Sequence, residues 1–278
     1  MTVFEPPRDF QSLQQLISTR SESLPKRLLQ VAGYALNNPD EIAFGTAASI
    51  ATAAAVQPST LVRFAQSLGF EGFSDLQGVF RSRLRERVLN YDERLSHLRA
   101  DATAHKASVM FAGFAEAAER SIKELKLALD GEKLEEAVKF LAQADTIYLI
   151  GLRRSFPITS YMSYAFGKLG VKSQLIGGTG GLAAEDVSFA TAQDVVLAIS
   201  FTPYASETVK LTQSAFARDV PVISVTDSPF SPLARVSKLW FEVTESHFEG
   251  FRSMSATLAL AMTLTVAVAE RRGMRETE

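Results

Sequence analysis

Residues Ala51–Phe73 read ATAAAVQPSTLVRFAQSLGFEGF, and this stretch decides how the first third of the chain is organised. The alanines at its start are small enough for two helices to cross closely. Pro58 suits the first turn of a second helix, because the N–H that proline lacks has no helical partner there. Gly69 suits the left-handed position that ends such a helix. Two short helices joined by a tight turn are typical of a helix-turn-helix.

The second helix predicted here has an apolar face and a polar face. With a period of 3.6 residues, its buried stripe is expected to hold the apolar side chains Leu61, Val62, Phe64, Ala65 and Leu68. Side chains at the start of such a helix enter the major groove of DNA. The residues that we expect to contact DNA are Gln57, Ser59, Thr60 and Arg63. Arg63 is able to donate two hydrogen bonds to guanine or to neutralise a phosphate.

The flanking sequence predicts further helices. Ser21 or Ser23 is expected to cap a helix that ends near Asn37, and Ser74 to cap a helix that runs to Val88. Two helices with an alanine-rich seam also occur as ordinary core packing. Periodicity alone therefore leaves both interpretations of the seam open.

The same stretch resembles the N-terminal domain of the RpiR (MurR/RpiR) family of bacterial transcription regulators. In that family a recognition helix with Thr-x-x-Arg-Phe is followed by Leu-Gly-Phe and Gly-Phe, which here are Thr60–Phe64, Leu68–Phe70 and Gly72–Phe73. Residues 38–44 resemble the family's linker between its first two helices. Gln57–Pro58 departs from the family, whose members commonly open this helix with serine. The resemblance implies binding to a double-stranded DNA operator.

The rest of the chain changes from helical to alternating patterns. Residues 90–106 are polar and form the expected linker, and helices are expected over 107–129 and 134–142. Five β-rich runs then alternate with helical ones, at 146–150, 173–176, 195–199, 222–225 and 239–243. This alternation is typical of a doubly wound parallel sheet. We predict two domains, an all-α helix-turn-helix bundle at 1–89 and an α/β domain at 107–278.

The α/β half resembles the SIS (sugar isomerase) fold, an α/β/α sandwich that the RpiR family carries as its effector domain. In that fold, a glycine closes the first strand and a serine begins the next helix, so that backbone N–H groups and the hydroxyl hold a phosphate; the counterpart here is Gly151–Ser155. A hydroxyl-rich loop follows the third strand, here Ser200–Glu207. Hydroxyl donors and helix N-termini supply partial positive charge to a dianion. The resemblance implies that a phosphorylated sugar or similar anionic small molecule is bound by Ser155, Ser200, Thr202, Ser206, Arg153 and Arg154.

These loops depart from the family in two places. Arg153 and Arg154 occupy positions that are often small, where arginine either pairs with a phosphate or carboxylate or faces solvent. Pro203–Tyr204 replaces the usual glycine, which removes a backbone N–H and adds a ring. Downstream, Asp227–Leu233 resembles the family's segment that borders the pocket, although turn chemistry explains the same residues structurally.

An enzyme is the rival class, because the SIS fold also hosts aldose–ketose phosphosugar isomerases. That chemistry needs a base, often assisted by histidine. Of the three histidines, His97 and His105 fall in the expected linker, which leaves His247 with Glu245 or Glu249 as the candidate cluster. Three such residues before a long helix are more often a solvated loop, and the sequence has no metal-ligand spacing or nucleotide fingerprint. We expect a regulator without catalytic residues, metal or cofactor, with an isomerase as the alternative.

Composition limits the partners and the compartment. The 278 residues are 46% hydrophobic with a formal net charge of −2 and no cysteine, which excludes disulfides and thiolate sites. The N-terminus lacks the pattern of a signal peptide, and the longest apolar run, 256–269, is shorter than the ~20 residues that span a bilayer. We expect a cytoplasmic protein without a membrane partner. Because one recognition helix covers few base pairs, a homodimer or homotetramer is expected.

Overall fold

The computed structural model describes residues 6–88 and 106–276. The chain divides into two compact units, Met1–Ala100 and Asp101–Glu278. The linker expected at 90–106 lies, except for its last residue, outside the described residues. The boundaries of the two domains therefore stay a prediction.

Between residues 6 and 88 the first unit is helical. Its α-helices are α1 (Phe10–Arg20), α2 (Lys26–Asn37), α3 (Pro39–Phe44), α4 (Ala47–Ala53), α5 (Pro58–Ser67) and α6 (Phe73–Val88). Apolar side chains spaced three or four residues apart on α1, among them Leu13 and Ile17, are fully buried. Phe10 meets Phe80 of α6 edge to face, with ring centroids 5.3 Å apart.

Three expectations for this unit are wrong in detail. Ser21 and Ser23 do not cap α2, because they lie in a 3-10 turn and Pro25 precedes the helix. Residues 38–44, expected as a linker, contain helix α3, since proline at its first position favours a helical start. Ser74 lies inside α6, which begins one residue earlier.

The second unit is an α/β sandwich around a five-stranded sheet. Its strands are β1 (Ile147–Ile150), β2 (Ser173–Ile176), β3 (Val195–Ile199), β4 (Val222–Thr226) and β5 (Leu239–Glu242). All neighbours in the order β2-β1-β3-β4-β5 pair in parallel. A short antiparallel pair, β6 (His247–Phe248) and β7 (Phe251–Arg252), follows. This arrangement confirms the predicted doubly wound fold, and each predicted strand agrees with the structure to within one residue at each end.

Helices cover both faces of this sheet. They are α7 (Ala107–Ala128), α8 (Gly131–Gln143), α9 (Phe156–Lys168), α10 (Ala183–Ser188), α11 (Ser206–Phe216) and α12 (Ser255–Glu276). Along β1, Ile147 and Leu149 join the core under α8, α9 and α12, whereas Tyr148 and Ile150 join the core under α10 and α11. Strands buried on both sides in this way are the continuous apolar runs of a parallel sheet.

The terminal helix α12 packs into the first of these cores. Its buried side carries Ala256, Leu260, Ala261, Leu264 and Val268, which recur at helical spacing. Among the described helices, none combines the length and the hydropathy of a membrane-crossing segment.

Candidate DNA-reading helix and anion-binding crevice

Helices α4 and α5 form the helix-turn-helix that the sequence predicts. Thr46 caps α4 through a reciprocal capping box with Ser49. The turn then reverses at Ala55, whose φ of 53° is left-handed, and the Val56 N–H donates to the Ala51 carbonyl over 2.9 Å. The seam of alanines therefore sits where the chain must pass close to itself.

The exposed face of α5 differs from the expected one at a single position. Leu61, Phe64, Ala65 and Leu68 are buried as predicted. Val62 was expected in that stripe, yet it is 41% exposed. The expectation is wrong because position 62 follows Ser59 by three residues, which places the two on one side of the helix.

The predicted DNA contacts lie on this accessible side. Gln57, Ser59 and Arg63 are exposed and Thr60 is half-buried. Gln57 occupies the N-cap position in an extended conformation, and its side chain does not cap the helix. With Val62 and Gln66 added, these exposed residues extend over most of the length of α5.

The strand order defines where a ligand site is expected in the second unit. From β1 the chain crosses outward to β2 and then returns to β3 on the other side of β1. Where successive crossovers diverge in this way, a crevice opens at the carboxyl ends of the two central strands, and ligands bind there. The two loops singled out from the sequence are the continuations of those strands: Gly151–Ser155, the β1 loop, and Ser200–Glu207, the β3 loop.

Close packing shapes the β1 loop. A Cβ on Gly151 would stand 2.7 Å from Thr159 Cγ2, so the strand and α9 approach closely only with glycine here. The Leu152 N–H donates to Thr208 Oγ1 of α11 over 3.2 Å, which brings the two loops together. Ser155 is buried directly before α9, and its side chain does not cap that helix.

The two arginines of the β1 loop are exposed. Arg153 has a φ of 55°, a left-handed conformation that a residue other than glycine rarely adopts. Both residues belong to the loop that follows the carboxyl end of β1.

The four predicted hydroxyls have different surroundings. Ser206 is exposed at the first position of α11. Ser200 is buried, and its Oγ accepts a hydrogen bond from the Ala205 N–H over 3.2 Å, which closes the β3 loop. Thr202 points to a carboxylate of the next loop: its N–H donates to Asp227 Oδ2 at 2.9 Å and its hydroxyl to Oδ1 at 3.5 Å.

Asp227 is the centre of a cluster of polar side chains whose contacts the sequence did not predict. It lies directly after β4, is only 8% exposed, and accepts a hydrogen bond from Tyr204 Oη over 2.9 Å. Burial of Tyr204 and the nearby Asp227 charge raise the pKa of that phenol. Arg252 of β7 lies 3.8 Å from the same carboxylate. The signal for Asp227 was its place at the end of a strand, whereas no local pattern pointed to Arg252.

The acid–base cluster suggested by the sequence is used structurally. Glu245 is buried, and its Oε1 accepts hydrogen bonds of 2.8 Å from the N–H and the hydroxyl of Thr257. The Glu245 side chain therefore caps the start of α12. His247 is exposed, and the Gly250 N–H donates to its Nδ1 over 3.4 Å. His97 and His105 lie outside the described residues. Within 6–88 and 106–276, no three acidic or histidine side chains are grouped to hold a metal ion.

The chain is similar to known proteins along most of its length. The family model for the helix-turn-helix domain of the rpiR family matches residues 11–88, and that for the SIS domain matches 140–269. The bifunctional protein glk of Burkholderia mallei is 29% identical over 255 residues, which take in 90% of this chain and 38% of that protein. The chain thus spans well under half the length of such relatives. An HTH-type transcriptional regulator of Haemophilus influenzae is 26% identical over 218 residues, which make up 78% of this chain and 74% of that regulator.

Among solved structures, the Vibrio vulnificus NanR protein is similar in fold. It is 23% identical, covers 95% of this chain and 93% of its own, and superposes with a TM-score of 0.56. The helix-turn-helix of the first unit and the parallel sheet of the second agree with the two matching family models. The chain belongs to the RpiR family of helix-turn-helix proteins that carry a SIS domain.

Proposed function

We propose that this protein is a sequence-specific DNA-binding transcription regulator whose SIS domain senses a phosphorylated sugar or a related anionic metabolite. The observation that carries the proposal is the presence, in one chain, of an accessible polar face on α5 and of two hydroxyl-bearing loops at the switch point of a parallel sheet. The first feature reads DNA, and the second suits a small anion.

On the DNA side, α5 offers both kinds of contact. Arg63 is exposed in the second turn, where it reaches a base edge or a phosphate. Gln57, Ser59 and Thr60 sit at the amino end of the helix, which is the end that enters the major groove in such motifs. Val62 adds an apolar side chain to the same face, suited to contact with a thymine methyl group.

On the effector side, the two loops contribute different groups. Ser155 and Ser206 stand at the starts of α9 and α11, so each adds a hydroxyl to a helix N-terminus. Arg153 and Arg154 supply the positive charge that a phosphate dianion needs. Ser200 and Thr202 are proposed to act mainly by shaping the β3 loop, because their polar atoms are engaged within it or with Asp227.

The chemical class of the effector follows from these groups. Hydroxyls, helix N-termini and guanidinium groups all favour a compact anion. The NanR structure was determined in complex with ManNAc-6P, a phosphorylated sugar. That compound belongs in the first panel of effectors for this chain.

We also propose that the protein works as a homodimer or homotetramer. A single recognition helix contacts few base pairs, and helix-turn-helix proteins usually bind paired half-sites. Large apolar side chains are exposed on two helices of the second unit, among them Phe111, Ile122, Leu127, Leu258 and Val266 on α7 and α12. Contact between copies would remove this surface from water.

We do not assign catalysis to this chain. Oε1 of Glu245 accepts the hydrogen bonds that cap α12, and its Oε2 is buried, so this carboxylate contributes to the start of the helix. An isomerase assay on the same sugar phosphates is the test of the alternative. If the protein isomerised a sugar phosphate and showed no sequence preference for DNA, the isomerase would be the better assignment.

The deciding experiment is fluorescence anisotropy of the full chain on its own upstream DNA, against scrambled competitor at fixed salt. Salt is fixed because phosphate contacts alone make the affinity strongly salt-dependent. We expect a sequence preference that changes when one sugar phosphate is added. The proposal would be contradicted if the protein bound its upstream DNA no better than scrambled DNA and also selected no preferred fragment from a random pool.

A further inference from the structure

One buried carboxylate connects the β3 loop to the β6–β7 hairpin. Asp227 accepts hydrogen bonds of 2.9 Å from the Thr202 N–H and the Tyr204 hydroxyl, and its Oδ2 lies 3.8 Å from Arg252 Nη1. The β3 loop ends at Glu207 and the hairpin begins at His247, yet both contact the Asp227 carboxylate. A displacement of either therefore alters the surroundings of the other.

The hairpin is in turn packed on α7. The ring of Phe248 covers Gly113 so closely that a Cβ there would come within 2.3 Å of it. Phe114 meets two hairpin rings edge to face, with centroids 5.2 Å from Phe248 and 6.1 Å from Phe251. These contacts bind the hairpin to the first half of the helix.

A hydrogen bond fixes the hairpin to the same helix a second time. The Ser246 N–H donates to Ser121 Oγ over 2.9 Å, and both residues are buried. Ser121 Oγ itself donates to the Ala117 carbonyl, one turn earlier on α7. The hairpin and α7 are thus joined at two levels.

We propose that Asp227 and Arg252 are positioning residues that carry the effector signal from the β3 loop through the hairpin to α7. The proposal rests on the regulator function above and adds its route of regulation. A phosphate in the crevice competes with Asp227 for the Thr202 N–H and attracts the Arg252 guanidinium. Helix α7 begins at Ala107 and is the first α-helix described in the second unit, which begins at Asp101. In this proposal Asp227 has two states, one bonded to the β3 loop and one displaced by the phosphate. Two states that the effector stabilises differently are what coupling between effector binding and DNA binding requires.

The first test needs no effector. Hydrogen–deuterium exchange is measured on the full-length Asp227→Asn protein, with Asp194→Asn as the matched control. Asp194 is equally buried and accepts hydrogen bonds of 2.8 to 2.9 Å from the Thr191 and Thr146 N–H groups, but at the amino end of the sheet. We expect exchange about threefold faster or more in residues 113–121 and 246–252 of Asp227→Asn only. Unchanged exchange there, or the same change in the control, overturns the inference.

The second test measures the signal itself. Phe114→Ala removes both hairpin ring contacts, and the control Phe189→Ala removes a ring that is 71% exposed at the end of α10. For each variant, the ratio of DNA affinities with and without saturating sugar phosphate is compared with wild type. The panel is glucose 6-phosphate, fructose 6-phosphate, arabinose 5-phosphate and N-acetylmannosamine 6-phosphate.

Phe114→Ala is expected to bind DNA and the phosphate as wild type does, while the ratio falls by about three- to tenfold. Phe189→Ala is expected to keep the ratio. A full response in Phe114→Ala, or loss of phosphate binding in that variant, overturns the inference but leaves the proposed function intact. A wild-type protein that responds to none of the four compounds counts against both.

Discussion

Gly151→Ala is a direct test of the close packing that shapes the β1 loop. The new methyl would stand 2.7 Å from Thr159 Cγ2 and 3.2 Å from Ser155 Cβ. Thr159 is fully buried and its hydroxyl donates to the Gly151 carbonyl over 3.2 Å, so this side chain cannot turn away without losing a hydrogen bond. Overpacking of this kind costs about 1–3 kcal/mol.

A single tryptophan allows the loss of unfolding free energy to be measured in the α/β unit separately. Trp240 of β5 is the single tryptophan, so its fluorescence during urea unfolding reports the α/β unit and not the helical one. Gly167→Ala on α9 is the matched control, because a Cβ there meets no atom within 4 Å. We expect that control to keep or raise stability by up to about 1 kcal/mol.

A second substitution separates the clash from a general loss of glycine. Thr159→Ser removes Cγ2 and keeps the hydroxyl, at a cost of about 1 kcal/mol for the lost buried methyl. Combined with Gly151→Ala, it is expected to cost less than the sum of the two single changes by about 1 kcal/mol or more. Additive costs in this cycle, or a Gly151→Ala protein as stable as wild type, would refute the packing argument.

Three further predictions concern the helical unit. Arg63→Ala is expected to lower discrimination between operator and scrambled DNA by about 1–3 kcal/mol in anisotropy titrations if it contacts a base; an equal loss on both DNAs would assign it to a phosphate. Val62→Ala is expected to remove the preference for thymine over uracil at one operator position, and an unchanged preference at every position would exclude a methyl contact. Gln77 is buried and donates to the Ile42 and Gly45 carbonyls, so Gln77→Leu is expected to cost the helical unit about 1–3 kcal/mol in thermal melts followed by circular dichroism, against a neutral or stabilising Gly78→Ala.

Local sequence patterns were enough to predict the recognition helix and the five parallel strands. Apolar periodicity, Pro58 at the start of α5 and the left-handed Gly69 at its end define the recognition helix, since each acts within a few residues of chain. The β-rich runs likewise predicted the five parallel strands, because strands buried on both faces need uninterrupted apolar side chains. The hydroxyl-rich loops were recognised from the resemblance to a family and not from periodicity.

The tertiary structure decided which of these residues meet. The strand order β2-β1-β3-β4-β5 placed the two loops at one crevice, and no pattern within a loop contains that order. Val62 proved exposed because it lies on the side of α5 that carries Ser59, whereas the buried side carries Leu61 and Phe64. Thr202 turned to Asp227, 25 residues away, and Arg252 joined the same carboxylate from the hairpin. Contacts over such separations depend on how the whole sheet and its helices pack, so the sequence determined the parts and the packed fold alone determined the site.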